Sequence, residues 1–171
     1  AGASTTVVTA EEFQQSPGLT IPEILSAEAG VQFHDLYGST NGAGQTIDMR
    51  GFGEPATANT LILINGRRLT DLDLAAVDFS SIPRGSIDRI EVTRGNVGAV
   101  LYGGGAGGGA INIVTKSNIK FGSHSKFDGG YGSDHYREFN FSSTQNKDGY
   151  AISAYGNRVL SEGYRNNNYL R

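Results

Sequence analysis

The sequence predicts an α+β fold, in which a small mixed sheet with short helices precedes about three antiparallel strands. The first observation is a change of pattern near Asn118, from short apolar segments between helix and turn signals to a two-residue alternation. The second is the glycine content, 25 of 171 residues, about twice the usual share. The third is that no apolar run approaches the ~20 residues of a membrane-spanning helix, which leaves tilted strands as the open route into a membrane.

The charge and composition of the chain argue against several classes of function. Lys and Arg total 14 against 17 Asp and Glu, so there is no basic surplus for phosphates and no nucleic-acid binding is expected. Cysteine is absent, which excludes disulfides, thiolate zinc sites and cysteine nucleophiles. His34, His124 and His135 are not at helical metal spacing, so no metal site is expected. No Ser–His constellation or nucleophile elbow is present, so no enzyme activity, catalytic residue or cofactor is expected.

Strand and helix signals alternate at the start of the chain. Thr5–Thr9 is a β-branched run that predicts a strand, and Ala10–Gln15 is a candidate short helix. Thr20–Glu23 has the pattern of a capping box with proline in the first turn. The helix that it begins carries an apolar stripe and ends before Gly30.

Further strands are predicted along the rest of the first part. Their positions are Val31–His34, Ile47–Arg50, Leu61–Ile64, Ile87–Val92 and Ala110–Thr115. Leu61–Ile64 is apolar throughout, so it is expected to be covered on both faces. Asn65 and Gly66 follow it and predict a tight turn.

Alternation with a period of two characterises the second part of the chain. The apolar phase contains Ile119, Phe121, Phe127 and Tyr131, then Phe139 and Phe141, then Tyr150, Ile152 and Ala154. Asn146–Gly149 predicts a hairpin turn. Three strands alone would leave an unpaired edge, so the chain is expected to stop inside a larger sheet. Residues 1–118 and 119–171 are therefore predicted to be two domains.

The glycine tract Gly103–Gly109 invites a phosphate-binding interpretation. In a run made almost entirely of glycine, G-x-G-x-x-G spacings arise almost by necessity and indicate little. A predicted strand follows the tract, whereas a dinucleotide site needs a helix there. The tract also lacks the Gly-Lys-Ser/Thr ending of a phosphate-binding loop. Tight backbone packing, or a bend that larger side chains would obstruct, is the favoured interpretation.

Arg50 and Arg94 each end a predicted strand and precede a glycine. They could be exposed strand-end cations. A buried guanidinium needs a carboxylate partner, since an unpaired buried charge is strongly penalised. The nearest acid to Arg94 is Glu91, which strand alternation places on the opposite face, so any partner is expected from elsewhere.

Five motifs in order carry a family resemblance. They are Thr5–Thr9 with Glu11–Phe13, Ile24–Leu25 with Ala29–Val31, Ile47–Gly53, Leu63–Arg67, and the long run Ile87–Lys116, IDRIEVTRGNVGAVLYGGGAGGGAINIVTK. Together they resemble the plug domain of TonB-dependent outer-membrane receptors, with Ala29 and Asn96 in place of the family's common prolines. The resemblance covers about residues 5–118, and residues 119–171 resemble the first strands of an incomplete transmembrane β-barrel.

The resemblance implies a receptor of the bacterial outer membrane that binds and imports a scarce nutrient, such as an iron–siderophore complex. The plug would gate the barrel without covalent chemistry, and TonB would pull on an N-terminal segment. Thr5–Thr9 leads directly into Glu11–Phe13, so it is interpreted as the first plug strand and the TonB box is expected upstream of this chain. Arg50 and Arg94 would pair with glutamates of barrel strands beyond Arg171, so both are expected to lack carboxylate partners here.

The same resemblance places the loops of residues 37–45 and 70–78 on the extracellular side. Tyr37, Asn41, Asp71 and Asp73 are the candidate ligand contacts, against the alternative that they are ordinary loop residues. Two other interpretations stay open. One is a barrel-less periplasmic or surface ligand-binding module with a plug-like fold, and the other is a nucleotide enzyme built on the glycine tract.

Overall fold

The computed structural model of the protein describes residues 4–16, 20–35, 38, 42–53, 55–69, 76–117, 121–133 and 135–162. Its contacts divide the chain into two units. One comprises Ala1–Ser80 with Ile87–Thr115, and the other comprises Ser81–Ser86 with Lys116–Arg171. The domain boundary after residue 118 stays a prediction.

The first unit is a mixed α+β structure, as predicted. Its elements are β1 (Ser4–Thr9), α1 (Ala10–Gln15), α2 (Ile21–Leu25), β2 (Val31–Asp35), β3 (Gln45–Met49), α3 (Ala56–Asn59), β4 (Thr60–Ile64), β5 (Arg67–Arg68), β6 (Ile87–Arg94), α4 (Asn96–Tyr102) and β7 (Gly109–Thr115). Five strands form a sheet in the order β1-β6-β7-β4-β5, in which β4 and β7 are parallel and the other neighbours antiparallel. β2 and β3 form a separate antiparallel pair. Helices α3 and α4 were not predicted.

The two N-terminal helices begin at threonine caps. Thr9 ends β1 and caps α1: its Oγ1 accepts from the Glu12 N–H at 3.3 Å, and Glu12 Oε2 accepts from the Thr9 N–H at 2.8 Å. The bond from the Thr9 N–H, and after it a bond that Thr9 Oγ1 donates to Glu12 Oε2 at 2.8 Å, stabilise the charged carboxylate and lower the pKa of Glu12. Thr20 caps α2 by accepting from the Glu23 N–H at 3.2 Å, with proline in the first turn.

The core of this unit lies on the central strands. Leu61, Ile62 and Leu63 of β4 are all buried, which confirms that this apolar run is covered on both faces. On β6 and β7, alternate apolar residues such as Ile90 and Ile111 are fully buried. Each such side chain contributes about 1.5–3 kcal/mol of burial free energy. The sheet therefore gives the turns at its ends a rigid base.

The second unit contains an antiparallel sheet of three strands, as predicted. These strands are β8 (Gly122–Tyr131), β9 (Arg137–Lys147) and β10 (Tyr150–Leu160), in the order β8-β9-β10. β9 and β10 are joined by a tight turn at Asp148 and Gly149. The 3-10 turn Arg84–Ser86 belongs to the same unit.

The register gives this sheet two chemically different faces. Phe127 lies opposite Phe141, and Ile152 lies on the same face because Gln145, its partner, is four residues from Phe141. The exposed apolar residues of this face are Phe127, Tyr131, Phe139, Phe141, Tyr150 and Ile152. The opposite face carries the polar residues His124, Lys126, Asp128, Glu138, Asn140 and Asn157. The sheet is amphipathic as a whole. Among the described residues, the helices are all too short or too polar to cross a membrane.

Candidate functional site

Asp48 organises the turn that carries Arg50. Its carboxylate, 1% exposed, accepts the backbone N–H of Phe52 at 2.9 Å and of Gly53 at 2.7 Å. Arg50 lies just beyond the end of β3 and has φ +78°, a backbone conformation that costs a non-glycine residue about 1–2 kcal/mol. The two hydrogen bonds hold this turn in place, so Asp48 positions Arg50. The sequence prediction had placed Arg50 within the strand and had not identified Asp48.

Burial and hydrogen bonding act in opposite directions on the pKa of Asp48. Burial disfavours the charged carboxylate and by itself raises the pKa. The hydrogen bonds from the Gly53 and Phe52 amides, together with His34, whose Nε2 lies 3.5 Å from Oδ2, outweigh burial and leave the pKa below its ordinary value. Asp48 is therefore ionised at neutral pH, in the state that accepts both amides.

The two Arg-Gly motifs meet in space. The guanidinium of Arg50 lies against Gly95, where an added Cβ would be 2.8 Å from Arg50 Nη2. Gly95 follows Arg94 and has φ +78°, so the turn after β6 also needs glycine. Among the described residues, no carboxylate forms an ion pair with Arg50. The sequence indicated each motif separately, but their proximity has no signal in a single sequence.

Arg94 connects three segments of the first unit. Its Nε donates to the Ala29 carbonyl at 2.7 Å, its Nη1 to Thr6 Oγ1 at 2.5 Å, and its Nη2 to Glu28 Oε2 at 3.2 Å. The expectation that Arg94 lacks a carboxylate partner in this chain is therefore wrong. The expectation that any partner is a residue other than Glu91 is confirmed. The partner is Glu28, which the turn after α2 brings to the end of β6. Pairing of Arg50 or Arg94 with barrel glutamates stays a prediction.

Glu91 has other partners on its own side of the sheet. Its Oε1 accepts from Arg89 Nε at 2.9 Å, and its Oε2 accepts from Asn112 Nδ2 at 3.0 Å. Asn112 in turn accepts the Gly66 N–H at 3.0 Å, which fixes the turn between β4 and β5. The carboxylate nearest to Arg94 in sequence thus supports the Asn65–Gly66 turn instead.

The last glycines of the glycine tract serve close backbone packing. An added Cβ on Gly108 would be 2.7 Å from the Met49 carbonyl oxygen, and one on Gly109 would be 2.5 Å from the Thr93 carbonyl oxygen. The tract leads into β7 and not into a helix, so it lacks the strand–loop–helix arrangement that cradles a dinucleotide. The packing interpretation is confirmed at these two positions. Around Gly103 and Gly104, by contrast, a Cβ would find open space.

The four candidate ligand contacts, Tyr37, Asn41, Asp71 and Asp73, lie outside the described residues. The structure does describe the base of the first loop. Buried Gln45 accepts from Thr20 Oγ1 at 2.8 Å and donates to Asp35 Oδ2 at 3.1 Å. Asp35 Oδ1 accepts the Gly38 N–H at 2.6 Å. These polar residues close the loop at its base, and no local pattern in the sequence indicates them.

Within the ranges that the structure describes, no group of three or more His, Asp or Glu side chains is placed to hold a metal ion. The site is thus a set of supported turns, in which buried polar groups hold two Arg-Gly motifs and a loop base.

A glycine-rich mixed sheet with paired Arg-Gly turns, followed by an amphipathic antiparallel sheet, defines a plug domain joined to barrel-type strands. Residues 1–110 match the family model described as the TonB-dependent Receptor Plug Domain. The chain belongs to this family.

Relatives and solved structures agree with this assignment. The chain is 36% identical over 115 residues to the vitamin B12 transporter BtuB of Vibrio cholerae serotype O1, which covers 67% of this chain and 18% of that protein. It is 35% identical over 130 residues to the ferrienterobactin receptor of Escherichia coli K12, which covers 67% and 16% respectively. The crystal structure of the siderophore receptor PirA from Pseudomonas aeruginosa superimposes with a TM-score of 0.66 at 29% identity, over 95% of this chain and 29% of PirA. The chain therefore spans less than a third of the length of each of these relatives.

Proposed function

We propose that this chain is the plug and the first wall strands of an outer-membrane receptor that imports a scarce nutrient with energy delivered by TonB. The observation that carries this proposal is the amphipathic β8–β10 sheet. An exposed aromatic and aliphatic face suits lipid, and a polar face suits a wet lumen. Family membership and the names of the relatives support the same class.

The apolar face argues against a barrel-less binding module. Six large apolar side chains are exposed on one side of the sheet. In water such a patch would favour association, whereas in an outer membrane it would contact acyl chains. The outer membrane is therefore the proposed location, and the hydrocarbon of its lipids is the proposed partner of this face.

The proposed substrate is a bulky nutrient complex of the kind that the relatives' names describe, a ferric siderophore or a cobalamin. Tyr37, Asn41, Asp71 and Asp73 are the proposed contacts. Phenol, amide and carboxylate groups supply hydrogen-bond donors and acceptors to a large polar ligand. Buried Gln45 and half-buried Asp35, hydrogen-bonded at the base of the first loop, support this assignment, since a binding loop needs a rigid base.

The test is uptake by the receptor that contains this chain, expressed in a bacterium without its own receptors for the two probes. Labelled ferric enterobactin and labelled cyanocobalamin are supplied separately, in otherwise identical cells with and without functional TonB. Accumulation of one probe only in the cells with TonB is expected. Absence of TonB-dependent uptake of both probes would contradict the substrate proposal.

The ligand contacts are tested in the same cells. Replacing Tyr37, Asn41, Asp71 and Asp73 together by alanine is expected to weaken binding of the transported probe. Surface expression, measured with an antibody, provides the control. Unchanged affinity at equal expression would reject these four residues as contacts.

A further inference from the structure

Residues Ser81–Ser86 are grouped by their contacts with the three-stranded sheet. The residues on both sides of this segment, Ala1–Ser80 and Ile87–Thr115, belong to the other unit. The segment contacts the polar face of the sheet closely. An added Cβ on Gly85 would be 3.7 Å from Tyr155 Cδ1 and 3.8 Å from Ser142 Cβ.

Lys116, the first residue of the later part of the second unit, is hydrogen-bonded to the same segment. Its backbone N–H donates to the Ser86 carbonyl at 2.9 Å, and its Nζ donates to the Gly85 carbonyl at 2.8 Å. Ser86 closes the 3-10 turn by donating its N–H to the Pro83 carbonyl at 2.9 Å. The segment is thus held by backbone bonds as well as by side-chain packing.

Glu138 provides the charged contact between the segment and the sheet. Its carboxylate, in a residue 8% exposed, accepts from Tyr136 Oη at 3.0 Å and from Asn140 Nδ2 at 2.9 Å. Asn157 Nδ2 also approaches it at 3.3 Å, and Arg84 Nη1 lies 3.8 Å from its Oε2. A nearly buried carboxylate with neutral donors on the sheet needs a cation, and Arg84 supplies it from the segment. Removing Arg84 would therefore take away the cation that this nearly buried carboxylate faces.

We propose that Ser81–Ser86 is a fixed anchor, which stays bound to the wall strands through Arg84 and Glu138 while the rest of the plug rearranges to admit the ligand. This inference rests on the proposed function. Motion is then confined to the unit formed by residues 1–80 and 87–115, and the chain hinges where it enters and leaves the anchor. Glu138 is a positioning residue in this scheme and does not contact the ligand.

The geometry at Gly85 allows a direct test. The 3.8 Å between its would-be Cβ and Ser142 Cβ is typical of a disulfide. The double variant Gly85→Cys, Ser142→Cys is made in the whole receptor, with each single variant as its control. Uptake of labelled ferric enterobactin and cyanocobalamin is measured with the disulfide formed and after reduction by dithiothreitol.

A fixed anchor predicts the same uptake rate in the oxidised and reduced forms. Loss of uptake on oxidation, restored by dithiothreitol and absent from both single variants, would overturn the anchor because it would show that the segment must leave the sheet. Failure of the parent receptor to take up either probe is a different result. It concerns the substrate proposal, and the anchor is then decided by a measurement that needs no ligand.

That measurement is hydrogen exchange of the purified receptor in rising urea. The anchor predicts that the amides of Ser86 and Lys116 become exchangeable together with those of β9 and β10. Exchange together with the β6 amides would overturn it. Arg84→Ala is expected to accelerate exchange at Ser86 and Lys116 without changing β6, whereas Arg67→Ala, at an exposed arginine of β5, leaves both unchanged.

Discussion

The guanidinium of Arg50 occupies the space that a side chain on Gly95 would need. An added Cβ would be 2.8 Å from Arg50 Nη2 and 3.6 Å from its Cζ. The side chain that follows β3 thereby packs against the backbone turn that follows β6.

Gly95→Ala is expected to destabilise β6 through backbone strain at φ +78°, because the Arg50 guanidinium is the end of a flexible, exposed side chain and can move away. Gly66→Ala is the matched control, because Gly66 also has φ +78° but nothing within 4 Å of its would-be Cβ. The control should lose about 1 kcal/mol from backbone strain alone. Native-state hydrogen exchange of neighbouring amides measures both losses. Similar losses in the two variants are therefore expected, and a clearly larger loss in Gly95→Ala would show that Arg50 is held in place.

Gly108→Ala is expected to destabilise the fold more than an alanine at another glycine of the same tract. The new methyl group would meet the Met49 carbonyl at 2.7 Å and the Asn59 carbonyl at 3.1 Å, and backbone atoms cannot rotate away. A loss of about 1–3 kcal/mol is expected from overpacking. Gly104→Ala, in the same tract with open space around it, is the control and should be close to neutral. Thermal unfolding of the two variants side by side tests this, and equal midpoints would contradict the packing role.

The lowered pKa of Asp48 makes the free energy of unfolding depend on pH. Because its pKa is lowered in the folded state, the unfolded chain binds the proton more readily. The stabilisation is therefore complete above the unfolded pKa, about 4, and is lost as the pH falls through the lower folded value. Asp48→Asn should reduce stability at neutral pH by about 1–3 kcal/mol, since one buried amide loses its acceptor.

The free energy of unfolding, followed from pH 7 downward, measures this effect. The Asn variant should lose less stability than the parent across the acid range. Asp88→Asn, which removes a half-exposed carboxylate, is the control for a change of net charge. Parallel profiles for the parent and Asp48→Asn would contradict the assigned role.

Arg94→Lys is expected to loosen β1 although it keeps the positive charge. A lysine ammonium cannot reproduce the planar fork that reaches Thr6, Ala29 and Glu28. Exchange of the β1 amides should accelerate by a factor of about ten, corresponding to about 1.4 kcal/mol. Arg89→Lys, at a half-exposed arginine on the same strand, should change the exchange rate of the β1 amides little. Unaltered exchange in Arg94→Lys would show that Arg94 does not hold β1.

Much of the fold could be predicted because its signals are local. The alternation of residues 121–160, the Asn65–Gly66 turn and the apolar run of β4 each fix a conformation through neighbours in sequence. Helix α4 was missed because its exposed Val100 and Leu101 give it no amphipathic stripe, and its caps are glycines. Local signals therefore predict elements well only where burial follows sequence periodicity.

The site was predicted less completely because its contacts are distant in sequence. Arg94 and Glu28 are separated by 66 residues, and Arg50 and Gly95, which are also far apart in sequence, meet in the folded chain. Asp48 looked like an ordinary polar position of a strand, since nothing in one sequence shows that its carboxylate folds back onto the next turn. The sequence indicates which residues have unusual chemistry, and folding decides which of them meet.

Thr9 has two roles, as the last residue of one element and the cap of the next. No linker residue therefore separates the strand from the helix, and a force applied to β1 would be transmitted directly to α1. A shift of β1 along β6 by one residue would expose Val8 and pull Thr9 out of reach of Glu12. Under a pulling force, separation of β1 from β6 and loss of the α1 cap would therefore occur together.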